Sequence, residues 1–414
     1  MHLREIRIWR IALLMVAGCV LGFALLTAAY CLPAEPMKQN LQKTADTFLT
    51  EGNRPQVIPT YPGSTGDGYT DALMLTEAIF DDPQISPLRK AIYVYRRAGS
   101  ESASADLGDL LEGNRDMLWV ISYERYWHGY LVFLRPLLLI FNYGDLRMLM
   151  CTAQVLLFAL IVVLLCRRGM PELVVPFAAA VLTLSPMGTM LSLQYFSVYA
   201  VAMLGMLAVL CLDAQLCRGA RYIELFVLLG MLTSYLDFLT YPLATLGLPL
   251  LLVLYRHTGG RGLLRFAAAA AAAWVVGYLG FWALKWAAGS LLAQENLFMS
   301  AVYRVGYQTS TTYIGTNRWQ VIAENLAAVC RPGYALLYTG SALACALPVL
   351  RRRGGGCRLL SGGRPLLLLV GLTPFIWWMA AANHSMDHAF FTYRLLAVTV
   401  FAVLAWLSSA RAAE

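Results

Sequence analysis

The sequence has few charged residues for its length. Charged side chains make up 14% of the 414 residues, hydrophobic side chains make up 59%, and the mean hydropathy is +0.60. Soluble globular domains carry roughly 25% charged residues. The composition therefore excludes an ordinary water-soluble domain and predicts an all-α, polytopic transmembrane bundle.

Several catalytic motifs are also missing. The sequence contains no Walker loop, no G-x-S-x-G elbow, no H-E-x-x-H motif and no dinucleotide fingerprint. Their absence disfavours ATP-driven, hydrolase and oxidoreductase functions. The nine cysteines include no C-x-x-C pair and no zinc-type spacing. A single bridge between Cys31 and Cys330 stays possible, because both are expected on the outer side.

Hydrophobic runs of membrane-spanning length predict about ten spans. These runs lie near 11–32, 146–166, 171–190, 195–216, 222–237, 240–255, 264–290, 333–350, 365–382 and 394–409. The net charge of +8 comes largely from arginines in short turns beside these runs, which is a topology signal rather than a sign of nucleic-acid binding. With ten spans, the basic turns at Arg167 and Arg168, Arg218 and Arg221, Arg256 to Arg265, Arg351 to Arg364, and Arg411 all fall on one side. We therefore expect a multi-pass protein of the plasma membrane with both termini in the cytoplasm.

This topology divides the chain into three parts. Residues 1–32 form a short cytoplasmic segment and the first span, residues 33–145 form a large, partly helical extracytoplasmic loop, and residues 146–414 form the bundle with a second outer loop at 291–331. A cleaved signal peptide is the alternative for the first span, but its apolar run is longer than a typical signal core.

The large loop is too long for a simple linker. Thr70 is suited to cap a helix that carries Asp71 on its face. A second helix is expected at Ser104–Leu111, and the apolar stretch Trp127–Phe141 is too short to span and resembles a helix in the outer membrane interface.

Asp71 is the first candidate for chemistry. It follows three closely spaced glycines, which allow tight turns, so its carboxylate could face a cavity as a general base. Alternatively, an acid in a first helical turn only offsets the helix dipole. Asp81 and Asp82 precede Pro83 and are more typical of a solvated turn.

A second cluster precedes the last span. His384 and His388 are four residues apart, which places them on one helical face, and Arg394 has the planar fork that binds phosphate. We expect these three to bind a phosphate group and the adjacent Asn383 and Tyr393 to contact substrate. The alternative for Arg394 is snorkelling to the interface, and a metal site at the histidines is disfavoured.

Two ionisable residues lie at membrane depth, where charge is costly and commonly functional. Lys285 is a candidate phosphate ligand or a snorkelling cation, and Asp237 is a candidate substrate ligand or a helix cap before Pro242. The string Arg125, Tyr126, Trp127 and His128 offers rings and donors suited to a sugar, although an aromatic belt explains the rings equally well. The 291–331 loop, with Tyr303-Arg304, Tyr307-Gln308 and Tyr313, has the composition of an outer lid.

The layout resembles the C-type glycosyltransferase (GT-C) superfamily, which includes protein O-mannosyltransferases and lipid-A aminoarabinose transferases. The resemblance covers the whole chain as a plan: a first span, a large outer loop with an acid on a short helix, interface helices and a many-span bundle. The strings 125–130, 237–242 and 383–385 are similar to those of bacterial membrane proteins of this kind.

The resemblance implies transfer of a sugar from a polyprenyl-phosphate donor to an extracytoplasmic acceptor of the cell envelope, with Asp71 as the base. A divalent cation as cofactor is left open. The acid comes about 40 residues after the first span, later than in the commonest family pattern, so Asp67, Asp81 and Asp116 stay alternatives. The rival functions are a non-enzymatic lipid or polysaccharide transporter, for which Asp237 and Lys285 would matter most, and an envelope-assembly scaffold. Nucleic acid is not expected as a partner.

Overall fold

The computed structural model describes residues 6–99, 102–114, 118–313, 315–350 and 359–409. Within these ranges the chain is predominantly helical, which agrees with the predicted all-α class. Six predicted positions lie outside the described residues: Asp116, Arg351, Arg352, Arg353, Arg358 and Arg411.

Six helical segments of the described residues are long and apolar enough to cross a membrane. They are α1 (Ile8–Tyr30), α8 (Tyr143–Arg167), α11 (Leu193–Leu216), α14 (Leu263–Ala293), α17 (Pro332–Leu350) and the stretch Ala389–Ser408, which contains α21 (Ala389–Thr392), a 3-10 turn (Tyr393–Leu395) and α22 (Leu396–Ser408). Membrane-spanning helices are thus supported by length and composition. The count of ten spans stays a prediction.

The remaining predicted spans correspond to shorter apolar helices. These are α9 (Val174–Thr183) with α10 (Pro186–Leu191), α12 (Arg221–Leu236), α13 (Ala244–Arg256), and α18 (Pro365–Gly371) with α19 (Thr373–Ala380). Pro186 and Pro374 each lie in the first turn of their helix, where the missing N–H costs nothing, and they mark where the second helix of each pair begins.

Helices α12 and α14 pack along each other and approach closely through glycines. A Cβ at Gly230 would lie 2.2 Å from the Trp274 carbonyl oxygen, and a Cβ at Gly277 would lie 2.1 Å from the Val227 carbonyl oxygen. Only a residue without a side chain fits at either position. Small residues therefore set this helix contact, as expected for packing within a membrane.

The segment that joins α1 to α8 is built from short helices and one two-stranded antiparallel sheet. The helices are α2 (Glu35–Gln42), α3 (Ala45–Glu51), α4 (Gly68–Ala78), α5 (Pro87–Tyr93), α6 (Ala103–Glu112) and α7 (Leu131–Leu138). Strand β1 (Tyr95–Ala98) pairs antiparallel with β2 (Trp119–Ser122), with Arg96 opposite Ile121. This sheet was not anticipated from the sequence. The segment that joins α14 to α17 contains α15 (Phe298–Thr309) and α16 (Arg318–Ala327), and α20 (Ala382–Asp387) precedes α21.

Two details of the segment that joins α1 to α8 differ from expectation. Asp67, not Thr70, caps α4, because the Asp67 carboxylate accepts the Thr70 backbone N–H at 3.0 Å. The predicted interface helix begins at Leu131 rather than Trp127, since His128 has a φ of +55°, which a right-handed helix does not allow. Cys31 and Cys330 are both free thiols, so the possible bridge is not formed.

Candidate functional site

The strongest candidate site is a polar cavity of about 460 Å³ between elements of the segment that joins α1 to α8 and the helices around α20. Its walls come from separate parts of the chain: Asn53, Arg54, Asp67, Tyr69, Thr70, Leu73, Arg96, Ile121, Ser122, Tyr123, Arg125, Tyr126, Gln194, Phe238, Arg304, Gln308, His384, Asp387, His388, Phe390 and Phe391. Four arginines and two aspartates leave an excess of two positive charges. The cavity is therefore suited to an anionic ligand.

The junction of α4 with α11 places Asp67 in this cavity. The Asp67 backbone N–H donates to Ser192 Oγ at 2.5 Å, and the Asp71 carboxylate accepts the backbone N–H groups of Leu193 at 3.0 Å and Gln194 at 3.4 Å. The first turns of the two helices are thus tied together, and Asp67 and Gln194 lie on the same cavity wall.

Asp71 does not line the cavity. It is fully buried, and besides the α11 N–H groups it accepts a hydrogen bond of 2.6 Å from the Tyr143 hydroxyl. Burial raises the pKa of Asp71 to about 7. The geometry contradicts the expectation that this carboxylate faces a cavity mouth, because its oxygens are engaged in capping a helix start. It makes Asp71 the residue that docks α4.

Asp67 meets the geometric requirement that Asp71 fails. Its carboxylate accepts hydrogen bonds from the backbone N–H and, at 2.8 Å, the hydroxyl of Thr70, while the residue borders the cavity. Burial raises the pKa of Asp67 above its ordinary value, although the Thr70 hydrogen bonds and the charges of Arg54 and Arg394 act against that rise. Of the two sequence alternatives to Asp71 that the structure describes, Asp67 borders the cavity and Asp81 does not.

Lys285 holds a loop rather than a ligand. The residue is fully buried, and its Nζ donates to the carbonyl of Glu124 at 2.6 Å and to the carbonyl of Tyr126. Between them, the Arg125 carbonyl accepts the Trp286 indole N–H at 3.0 Å. The predicted role of Lys285 in binding phosphate therefore does not fit its position. Its contacts keep the arginine side chain of this loop at the cavity.

The string 125–128 divides into two pairs. Arg125 and Tyr126 line the cavity, and their contact with substrate stays a prediction. Trp127 and His128 do not: Trp127 is fully buried, with its indole N–H on the Phe281 carbonyl at 2.9 Å, and His128 is buried against Glu77, 3.0 Å from its carboxylate. These two are core residues that anchor the loop, so the prediction that they contact substrate is not supported by their positions.

Asp237 closes a turn next to the cavity. Its carboxylate accepts the Thr240 backbone N–H at 3.1 Å and the Thr240 hydroxyl, and the turn places Phe238 in the cavity wall. The Leu239 carbonyl at the same turn is 2.7 Å from His384 Nε2. Asp237 therefore has a structural role, but it closes a turn and does not cap the helix expected before Pro242, because α13 begins only at Ala244. It does not line this cavity.

The histidine pair does lie in the cavity. The rings of His384 and His388 are 4.7 Å apart, and the Nδ1 atom of each is buried without a hydrogen-bond partner among the described residues. Burial lowers the pKa of His384 to about 3 and that of His388 to about 4. Both rings are therefore neutral at neutral pH, and neither supplies the positive charge expected for a phosphate ligand.

The other three predicted site residues of this cluster, Asn383, Tyr393 and Arg394, do not line the cavity. Arg394 is fully buried and donates to the carbonyls of Leu184, Phe390 and Thr65, so it holds backbone instead of phosphate. The Tyr393 hydroxyl bonds to Ser185 at 2.6 Å. Asn383 is fully buried and is not part of the cavity lining.

The cations that do face the cavity are Arg54, Arg96, Arg125 and Arg304. Among the described residues, the Nε atoms of Arg96, Arg125 and Arg304 are buried without a hydrogen-bond partner. Such groups are costly unless a ligand or water satisfies them. Arg304 belongs to the loop expected to form a lid. Arg54 and Arg96 were missed, because nothing in the local sequence marks these loop and strand residues as neighbours of the histidines.

An apolar groove of about 290 Å³ adjoins the polar cavity. Most of its surface comes from apolar and aromatic side chains: Leu239, Tyr278, Leu279, Trp282, Trp286, Val305 and Trp377. Five residues border both spaces: Arg125, Tyr126, Arg304, Gln308 and His384. Helix α15 covers the junction, with Arg304 and Gln308 inward and Met299, Val302 and Tyr303 exposed. The two spaces together would accept a ligand with a charged head and an apolar tail.

One other group of potential metal ligands occurs among the described residues, at the opposite end of α11. Asp213, Cys217 and His257 converge there, but the Asp213 carboxylate already binds Arg256 at 2.8 Å and the Tyr222 hydroxyl at 2.5 Å. This is a satisfied ion-pair network remote from the cavity.

No known family model, curated protein or solved structure matches the chain.

Proposed function

We propose that the protein is a membrane glycosyltransferase that moves a sugar from a polyprenyl-phosphate donor to a hydroxyl-bearing acceptor, in the manner of the GT-C superfamily. The observation that carries this proposal is the continuity of an arginine-rich cavity with an apolar groove. A prenyl phosphate has the matching chemistry: its tail needs an apolar surface, and its phosphate needs cations or N–H donors.

The residues at the junction fit the phosphate of such a donor. Arg125 and Arg304 border both spaces, and each has a buried Nε without a partner among the described residues. A phosphate between them would satisfy these donors. As the bond from the anomeric carbon to the phosphate oxygen breaks, the same guanidinium groups stabilise the charge on the leaving prenyl phosphate.

Asp67 takes the role of base in this proposal. It accepts the proton of the acceptor hydroxyl while the acceptor oxygen forms a bond to the anomeric carbon. A single displacement of this kind inverts the sugar configuration and needs no further reactant. The Thr70 hydrogen bonds hold the carboxylate in place at the cavity wall.

Transfer at the outer membrane face, ten spans and cytoplasmic termini are part of the same proposal. The transporter alternative has less support. Its intramembrane path would need Asp237 and Lys285. The Asp237 carboxylate and the Lys285 ammonium group, however, both form hydrogen bonds within the protein.

Lipid that co-purifies with the protein in a mild detergent tests the proposal. We expect mass spectrometry to detect a prenyl phosphate or its glycosyl ester, and we expect the Arg125→Gln, Arg304→Gln double variant to retain much less of it. The Arg167→Gln, Arg168→Gln variant is the matched control, because it removes two exposed arginines at the end of α8. Phospholipid alone in the wild type, or equal recovery from both variants, would contradict the proposal.

A further inference from the structure

The hydrogen bond between His384 and Leu239 determines which ring nitrogen of His384 carries a proton. A backbone carbonyl can only accept, so Nε2, which lies 2.7 Å from the Leu239 oxygen, must be the N–H donor. In a neutral ring the other nitrogen, Nδ1, then has a free lone pair. This atom is buried and has no partner among the described residues.

The turn at 237–240 is built to hold that carbonyl in place. Leu239 has a φ of +67°, a left-handed conformation that a branched aliphatic residue rarely adopts. The Asp237 carboxylate keeps the turn closed through Thr240. The strained residue is the one whose oxygen receives the His384 N–H, which fixes the ring in a single orientation.

The position of His384 determines which ligand group its Nδ1 lone pair would contact. The residue is 2% exposed and borders both the polar cavity and the apolar groove. Arg125 and Arg304 border the same junction and offer only donors. A phosphate oxygen suits those arginines, but it would be repelled by a lone pair, so the ligand group opposite Nδ1 has to be a donor such as a hydroxyl.

We propose that His384 Nδ1 accepts a hydrogen bond from a sugar hydroxyl next to the donor phosphate, and that His384 thereby selects a glycosyl head group over a bare phosphate. This inference rests on the proposed function. It replaces the expectation that His384 binds the phosphate itself. It also assigns Asp237 and Leu239 as positioning residues for the ring.

Matched amphiphiles test the inference through binding to the purified protein in nanodiscs. The probes are farnesyl phosphate and its β-mannosyl and β-glucosyl esters, which share the tail and the phosphate. We expect His384→Phe to weaken binding of at least one glycosyl ester about five- to tenfold, the effect of one neutral hydrogen bond, and to leave farnesyl phosphate within about twofold. His384→Gln should retain most of the selectivity, because its amide can donate to Leu239 and still offer an acceptor.

Three outcomes would contradict the inference, and one of them would also contradict the proposed function. Equal weakening of all probes by His384→Phe, with an unchanged melting temperature, would place the ring at the phosphate and overturn the inference alone. Unchanged binding of all probes would remove His384 from the site. If the wild type binds neither the phosphate nor its esters, the proposed function fails together with the inference.

Nitrogen-15 NMR of histidine-labelled protein measures the His384 ring nitrogens directly. Their response to ligand would not differ between the probes if His384 had only a structural role. The His384 signals, assigned by their loss in His384→Phe, should show a protonated Nε2 and a bare Nδ1. Addition of the glycosyl ester that binds should shift the Nδ1 signal more than addition of farnesyl phosphate does. The reverse order would contradict the proposed hydrogen bond.

Discussion

Asp67 and Asp71 stand one helical turn apart on α4, yet we expect opposite results when each is changed to asparagine. Both substitutions keep the shape of the side chain and remove its charge. Asp67→Asn removes the proposed base from the cavity wall, whereas Asp71→Asn alters a buried helix junction. The pair therefore separates catalysis from folding within one short segment.

For Asp67→Asn, the effect should appear in the reaction. Asparagine is as good a helix N-cap as aspartate, so the Thr70 contact persists and the free energy of unfolding should change by no more than about 1 kcal/mol. Loss of a general base typically lowers a rate by about 10²- to 10⁴-fold, which corresponds to roughly 3–5 kcal/mol of activation free energy.

For Asp71→Asn, the effect should appear in the pH dependence of stability. Burial raises the pKa of Asp71 from 3.8 to about 7, so the folded protein binds this proton more tightly than the unfolded chain does. Stability from this group is complete below pH 4 and falls as the pH rises towards and through 7, by on the order of 4 kcal/mol. Asparagine cannot ionise, so the melting temperature of the variant relative to the wild type should increase from pH 5 to pH 8.

The assay compares both variants with the wild type in nanodiscs. Release of prenyl phosphate from a glycosyl prenyl phosphate, in the presence of an acceptor lipid extract, measures transfer, and intrinsic tryptophan fluorescence during heating measures stability. We expect Asp71→Asn to retain transfer within about threefold. An inactive Asp71→Asn with a normal melting temperature, beside an active Asp67→Asn, would refute the assignment of roles and restore Asp71 as the base.

Two further substitutions test the scaffold of the site. Lys285→Met should lower the free energy of unfolding by about 2–4 kcal/mol, because the buried carbonyls of Glu124 and Tyr126 lose their donor. It should also weaken farnesyl phosphate binding, because Arg125 lies between these two residues. Unchanged stability and binding would contradict the role of Lys285 in holding this loop. Gly230→Ala should separate α12 from α14 and lower the melting temperature, since the new Cβ would lie 2.2 Å from the Trp274 carbonyl oxygen. A melting temperature equal to that of the wild type would show that stability does not need this close approach.

The sequence predicted features that depend on nearby residues. Apolar runs marked the helices, and the four-residue spacing of His384 and His388 indicated a shared face, which agrees with rings 4.7 Å apart. The helix expected at Ser104–Leu111 is present as Ala103–Glu112. In each case the signal is a periodicity within one element, and local periodicity is what a single sequence records.

Features that depend on long-range contacts were not predictable. Asp71 and Asp67 look alike as acids at a helix start, and only the partner helix α11 decides that one is engaged and the other borders the cavity. Likewise, Lys285 and Arg394 are cations near a membrane edge in the sequence, but distant backbone carbonyls take up their donors. Without the fold, a charge that binds ligand cannot be told from one that binds backbone.

The cavity draws its wall from positions as far apart as Asn53 and Phe391. No contiguous half of the chain contains it, so a truncated product could insert into a bilayer and still hold an unfinished pocket. Translation must reach Phe391 before the earliest part of the wall can close around a ligand. Ligand retention would therefore report that membrane insertion has run to completion, which makes it a useful quality check on any recombinant preparation.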